Sequence, residues 1–259
     1  QPNSTPAKIP LLDNAHTEKT LGVWSNPLND PGVPLAKRKE KGLSWVDKLR
    51  RRPLERRDVW LSLTTMEYPK WSYGLSSLYA SPDELDSLMG SIYFQALPYL
   101  GFNQHITKEF RTLPSEYQGI GLRRWSIEKL SRDLAMLLRH WESDSTLARS
   151  FQALYEAFQM EVGVSGNILT HSYSDLSHLA THSWFKVLWQ YCSTYDVGVF
   201  FHQRFHIPPT RDRDLPLIEL FQDHGNSGLV LSILNRVRKY YRVHSLADIL
   251  CADGMTVDL

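Results

Sequence analysis

The sequence predicts a mainly α fold, a helical domain with a small β component near its N-terminus. Three observations carry this expectation. Apolar residues recur at three- and four-residue spacing through most of the chain, cap and stop residues bracket those runs, and one short apolar segment near the start suits a strand. With 42% hydrophobic and 12% aromatic residues among 259, the chain can bury a real core, and its length fits one large or two small domains.

Residues 1–19 read as a Pro-, Asn- and Thr-rich linker, and Thr20-Leu21-Gly22-Val23-Trp24 as the strand. Ser81-Pro82-Asp83-Glu84 opens a helix with a cap, a first-turn Pro and acids at the positive dipole end. Leu85, Leu88, Met89, Ile92 and Ala96 then mark its buried face, and Pro98 and Gly101 stop it. Gly119 and Gly121 suggest a tight turn or short strand. Ile127, Leu130, Leu134, Leu137, Leu138 and Trp141 mark the next helix, and Leu147, Phe151, Leu154, Tyr155 and Phe158 another, capped by Gly163. A further helix is expected over Asp175–Tyr191, a strand at 197–201, and a short helix ending near Gly225. On the last helix, Gly228–His244, the apolar stripe of Val230, Ile233, Leu234, Val237, Tyr240, Tyr241 and His244 is expected to face inward. Asn235, Arg238, Lys239 and Arg242 then gather on the opposite face as a cationic back.

Net charge is +1, from 29 Lys+Arg against 28 Asp+Glu, which argues against a wholly basic packaging protein and an acidic disordered tail. The charge is nevertheless segregated. Residues 37–58 hold ten basic and four acidic groups, a net +6, so the remainder carries −5. Two cysteines, Cys192 and Cys251, are too few for a disulfide framework and favour a reducing, intracellular compartment, nucleus or cytoplasm undetermined. No stretch reads as a membrane span or export signal. The sequence does not begin with Met, so an excerpt of a longer chain is the expectation.

Catalytic chemistry finds little support. His178 and His182, with Asp175 and His171 nearby, sit at a spacing that can hold a divalent metal on a helix face. The general-base Glu of H-E-x-x-H is missing, since Leu179 occupies its place, and a half-exposed helix face explains the pair more simply. His202 and His206 rank lower, and Asp212 and Asp214 read as helix caps. No phosphate-binding loop, dinucleotide fingerprint or nucleophile elbow occurs. No catalytic or metal residue is assigned.

The basic stretch differs in kind. Lys37, Arg38, Lys39, Lys41, Lys48, Arg50, Arg51, Arg52, Arg56 and Arg57 alternate with Leu35, Leu43, Trp45, Val46 and Leu49, so it can pack while its charges stay in solvent. Such a surface suits a polyphosphate backbone, and equally an ordinary solvated helix pair. Arg236, Arg238, Lys239 and Arg242 add a second cationic face.

Several short motifs share an order with a known family. Lys19-Thr20-Leu21-Gly22-Val23-Trp24 resembles the strand that follows the palm in retroelement reverse transcriptases, and Trp45-Val46-Asp47-Lys48 through Arg56-Arg57-Asp58-Val59-Trp60 the helical segment after it. Leu113-Pro114 with Tyr117-Gln118-Gly119-Ile120-Gly121-Leu122 resembles the post-polymerase L-P…Y-x-G-L-G-L element. Trp184-Phe185-Lys186 to Trp189, Leu234-Asn235-Arg236-Val237-Arg238 and Leu246-Ala247-Asp248-Ile249 with Asp253-Gly254 resemble the end of that region in polyproteins of protists and fungi. The resemblance, from about residue 16 onward, implies a thumb-like basic helical region at 20–110 and a helical connection region at 111–259. The Tyr/Phe-x-Asp-Asp turn that holds the polymerase magnesium ions is absent from the sequence. The implied role is therefore a non-catalytic segment that grips RNA/DNA duplex, its partners being an upstream palm and a downstream ribonuclease H-like domain. No cofactor is implied in this chain, magnesium belonging to the palm, and Trp45 and Trp60 are expected in the core. A helical protein-interaction module and, less well supported, a His-dependent metal hydrolase are the alternatives.

Overall fold

The computed structural model describes residues 13, 16–52, 54–201, 214–251, 254, 256 and 257. The chain is mainly helical with a single two-stranded sheet among the described residues, and it forms two compact units. One holds the described residues up to Ala80 together with Ser87–Leu122; the other holds Ser81–Asp86 and those from Arg123 on.

The segment expected as one strand is the tip and return arm of a hairpin. β1 (Glu18–Thr20) pairs antiparallel with β2 (Val23–Ser25), Lys19 opposite Trp24. Leu21 and Gly22 both take positive φ, 50° and 87°, as a two-residue hairpin turn matched to strand twist requires. The Tyr73 hydroxyl donates to the Leu21 carbonyl at 2.6 Å and ties down the tip.

α1 (Gly32–Arg51) starts beside Asp30, whose carboxylate accepts the Gly32 N–H at 3.0 Å, and carries Pro34 in its first turn. Its inner face buries Trp45, Val46 and Leu49. α2 (Arg56–Ser62), a π-helical turn at Leu63–Glu67 and α3 (Tyr68–Ser72) follow almost without interruption. Pro69 lacks an N–H to bond Thr65, while the Thr64 and Thr65 hydroxyls bond back to Trp60 and Leu61 carbonyls at 2.9 and 2.6 Å. Those local competitors favour the widened turn. The Trp45 indole donates to Ser62 Oγ at 3.1 Å and meets Trp71 edge-on at 5.8 Å between ring centres.

α4 (Pro82–Leu100) has the expected start, a capping box in which Glu84 accepts from the Ser81 backbone and hydroxyl at 2.8 Å each. Its expected apolar face is buried, and the helix runs through Pro98 to end at Gly101, φ 86°. A Cβ on Gly42 would lie 2.3 Å from Ile92 Cδ1, so that glycine sets how closely α1 and α4 approach. α5 (Lys108–Thr112) and the following loop fold back on themselves: Ile120 N–H bonds Phe110 and Leu122 N–H bonds Arg111. Burial of Ile120 and Leu122 keeps this stretch with the first unit, so the division falls at 122/123.

In the second unit α6 (Trp125–Trp141) and α7 (Thr146–Val162) pack together. Leu130, Leu137 and Trp141 are buried as expected, but Ile127 and Leu138 face solvent. Lys129 and Asp133 are buried instead, paired at 2.5 Å, with the ammonium 5.5 Å from the Tyr191 ring centre. On α7, Phe151, Tyr155 and Phe158 are buried while Leu147 and Leu154 are exposed. Gly163 ends α7 with φ 81°.

The helix expected over Asp175–Tyr191 is broken. α8 (Tyr173–Leu176) passes into a 3-10 turn, and α9 (Trp184–Thr194) restarts at Ser183, whose side chain accepts the Lys186 N–H. Between them the Glu161 carboxylate captures the Thr181 N–H and hydroxyl, each at 3.1 Å, which diverts the backbone from helical bonding. Residues 197–201 form no strand: Phe201 stacks on Trp141 at 4.2 Å and the Val199 carbonyl accepts from the Asn167 amide. α10 (Leu217–Asp223) and α11 (Gly228–Tyr241) complete the unit.

Candidate nucleic-acid interface

The basic stretch occupies α1 and the start of α2. At ~100° per residue, Lys37, Lys41, Lys48 and Arg51 share one flank of α1, and Lys39 and Arg50 lie roughly opposite them. The cations thus straddle the buried face. Lys39, Lys41, Lys48, Arg51, Arg52, Arg56 and Arg57 are exposed. Lys37 pairs with Glu40 at 3.0 Å, while Arg50 lies 3.7 Å from Asp47 and bonds the Tyr99 hydroxyl, which holds its pKa up. Among the described residues, Lys41, Lys48, Arg51, Arg52 and Arg57 have neither ion pair nor hydrogen-bond partner, so their charge remains available to an anion. The Arg56 guanidinium lies over Gly101, where a Cβ would come within 1.8 Å of Nε.

Arg38 behaves differently from its neighbours. Its guanidinium donates to the Trp71 carbonyl at 2.5 Å and the Tyr73 carbonyl at 2.9 Å, and burial pulls its pKa down to about 10. It is a clamp between α1 and the corner after α3. Trp45 is buried as expected, and Trp60 is half-buried, edge-on to Phe102.

The second cationic face is corrected in part. Arg238 is 2% exposed and does not belong to a solvent surface. Its guanidinium donates to the Met160 and Glu161 carbonyls (2.9 and 3.0 Å), to Asn235 Oδ1 and to His244 Nδ1 (2.6 Å). α11 is therefore turned almost inside out relative to expectation. Leu231, Asn235 and Arg238 face inward, while Val230, Ile233 and Val237 are about half exposed and Tyr240 and Tyr241 stand 80% and 69% exposed. The reason lies at the end of α7, whose last carbonyls need donors. Asn235 and Arg238 supply them, and a helix wheel of α11 alone holds no sign of that demand. Arg236 and Arg242 are exposed, and Lys239 lies 3.6 Å from Glu161.

The break at residues 180–183 takes His178 and His182 off a common helix, so they do not share the helix face expected of a metal pair. Among the described residues no group of three or more His, Cys, Asp or Glu could hold a metal ion. His202, His206 and Asp212 lie outside the described residues, and Asp214 accepts the Ala247 N–H rather than capping a helix of its own. Burial pushes the Cys192 thiol up to about 11, the reverse of activation. No described helix is long and apolar enough to cross a membrane.

The basic segment also forms one wall of a cavity that sequence reasoning missed. The cavity, about 360 Å³, opens between the β1–β2 hairpin, α1 and α3. Its aromatic residues are distant in sequence, so no local pattern could have announced it. Comparison with protein-family models, curated proteins and solved structures found no match.

Proposed function

We propose that this chain grips nucleic-acid duplex without catalysing a reaction, as the thumb and connection segment of a retroelement reverse transcriptase would. The observation that carries this reading is the set of exposed, uncommitted cations running from α1 into α2, mounted on a helix whose other face is anchored by Trp45, Val46 and Leu49. Rigidly held cations bind phosphates regardless of sequence and release counterions as they do so. Filter binding at low salt should retain RNA/DNA hybrid with little sequence preference. Replacing Arg50, Arg51, Arg52, Arg56 and Arg57 with Gln should cut that retention at least about tenfold. Absence of retention by the unaltered chain, or equal retention by the variant, removes the reading.

A second reading, a protein-interaction module, has its own support in α11. The exposed stripe of Val230, Ile233, Val237, Tyr240 and Tyr241 is bordered by Arg236 and Arg242, with no acid on the helix. It suits an amphipathic partner helix with acidic flanks. Binding of such a peptide that survives the five Gln substitutions and is lost in Val237→Asp selects this reading.

A further inference from the structure

The cavity beside α1 has the composition of a ligand site. Pockets that bind small molecules occupy about 300–1,000 Å³ and combine aromatic walls with a few placed polar groups, and this one falls within that range at about 360 Å³. Lys41, Ser44 and Lys48 line it at one-helical-face spacing, and Trp24 and Tyr73 line it as well. Trp24 is half-buried and Tyr73 is exposed, so both present ring surface while remaining seated.

The walls are held before any ligand arrives. Arg38 fixes the corner at Trp71 and Tyr73, and the Tyr73 hydroxyl holds the hairpin tip. A Cβ on Gly74 would lie 2.5 Å from Val23, which shows how tightly the hairpin sits on that corner. Lys37 and Lys70 are already neutralised by Glu40 and Glu67 at 3.0 and 2.7 Å. Lys41 and Lys48 are not, and they stand about 10 Å apart along α1 at 1.5 Å per residue. Among the lysines that line the cavity, these two are the ones left to meet an anion.

We infer that this cavity binds one unstacked nucleotide, its phosphate on Lys41 and Lys48 and its base against the rings of Trp24 and Tyr73. Free cations beside aromatic faces form the stacking platform and electrostatic funnel of single-strand binding sites. The choice of a nucleotide over other aromatic anions rests on the duplex-gripping reading, because the same flank of α1 continues from the cavity along the proposed phosphate track. The cavity would then hold a nucleotide from a frayed end or overhang while the flank holds the adjoining duplex.

The test is isothermal titration of the full chain with adenosine 5′-monophosphate at low salt, alongside adenosine and inorganic phosphate. Saturable one-to-one binding of the monophosphate, about tenfold or more tighter than either fragment, is the expected result. Phosphate binding as tightly as the nucleotide would reduce the cavity to an anion site and overturn the inference. The Lys41→Gln/Lys48→Gln pair and Trp24→Ala should each weaken the monophosphate about tenfold, with Trp24→Phe recovering most of the loss. Because both lysines are exposed, their variant keeps the test decisive should Trp24→Ala unfold the hairpin. Unaltered affinity in the lysine variant overturns the site. Duplex retention separates the two readings: a chain that retains duplex and ignores the monophosphate loses the cavity site and keeps the grip, whereas the opposite result keeps the site and removes the grip.

Discussion

Among the described residues no carboxylate pairs with the buried Arg238, and its environment explains how it is held. The last carbonyls of α7 lie at the negative end of the helix dipole and accept its protons, as do Asn235 and His244. Burial pulls its pKa to about 10, which still leaves it charged at neutral pH. Gly163 is required twice over: its φ is 81°, and a Cβ there would stand 2.5 Å from the guanidinium. Arg238→Met should cost about 3 kcal/mol in urea unfolding, and Arg238→Lys should recover little, because an ammonium cannot reach so many acceptors at once. His244 must accept at Nδ1, since a guanidinium only donates, so its imidazole is neutral in the fold. Its pKa is lowered by burial first and by Arg238 second. The unfolded chain therefore binds this proton more readily. Stability from His244 is complete above the ordinary value of about 6.5 and is lost as pH falls through the lower folded pKa. Urea melts between neutral and mildly acid pH should show that loss, and the acid limb should flatten in Arg238→Met.

Among the elements, the hairpin carries a removable cost. Leu21 holds φ 50° at the turn with its side chain exposed, where a left-handed conformation is unfavourable for a branched apolar residue. Leu21→Asn should raise the unfolding free energy by about 1 kcal/mol without moving the backbone, read from the melting temperature. α6 carries the reverse case, a Lys129–Asp133 pair sealed from solvent at one helical turn's spacing. Lys129→Met or Asp133→Leu alone should destabilise by about 3–5 kcal/mol, because each leaves the other charge buried. The double substitution should cost far less than the sum, and a double-mutant cycle would register that as coupling.

For the whole molecule the placement of charge decides the expected salt dependence. In the proposed grip the phosphates meet the uncommitted cations Lys41, Lys48, Arg51, Arg52 and Arg57 rather than all ten, since Glu40 already holds Lys37 and Asp47 and Tyr99 hold Arg50. The logarithm of the binding constant against the logarithm of salt should then fall with a slope of about −4.5. Lys41→Gln/Lys48→Gln should make it shallower by about 2, and Lys39→Gln on the opposite flank should hardly change it.

By itself the sequence determined the helical class, the capping box at Ser81, the buried face of α4, the end of α7 at Gly163 and the anchoring of the basic stretch by Trp45, Val46 and Leu49. These rest on spacing, caps and glycine conformation, all encoded within a few neighbouring residues. The periodicity also located α11, yet not which side of it faces inward, and it joined α8 to α9 across residues 180–183. Those outcomes depended on partners far along the chain, the α7 carbonyls for Arg238 and Glu161 for Thr181. The cavity was equally illegible, since Trp24, Lys41 and Tyr73 meet only once the hairpin, α1 and the end of α3 have packed. Only the tertiary structure decided these points, because an unpaired buried polar group costs enough to outweigh the exposure of several half-apolar side chains.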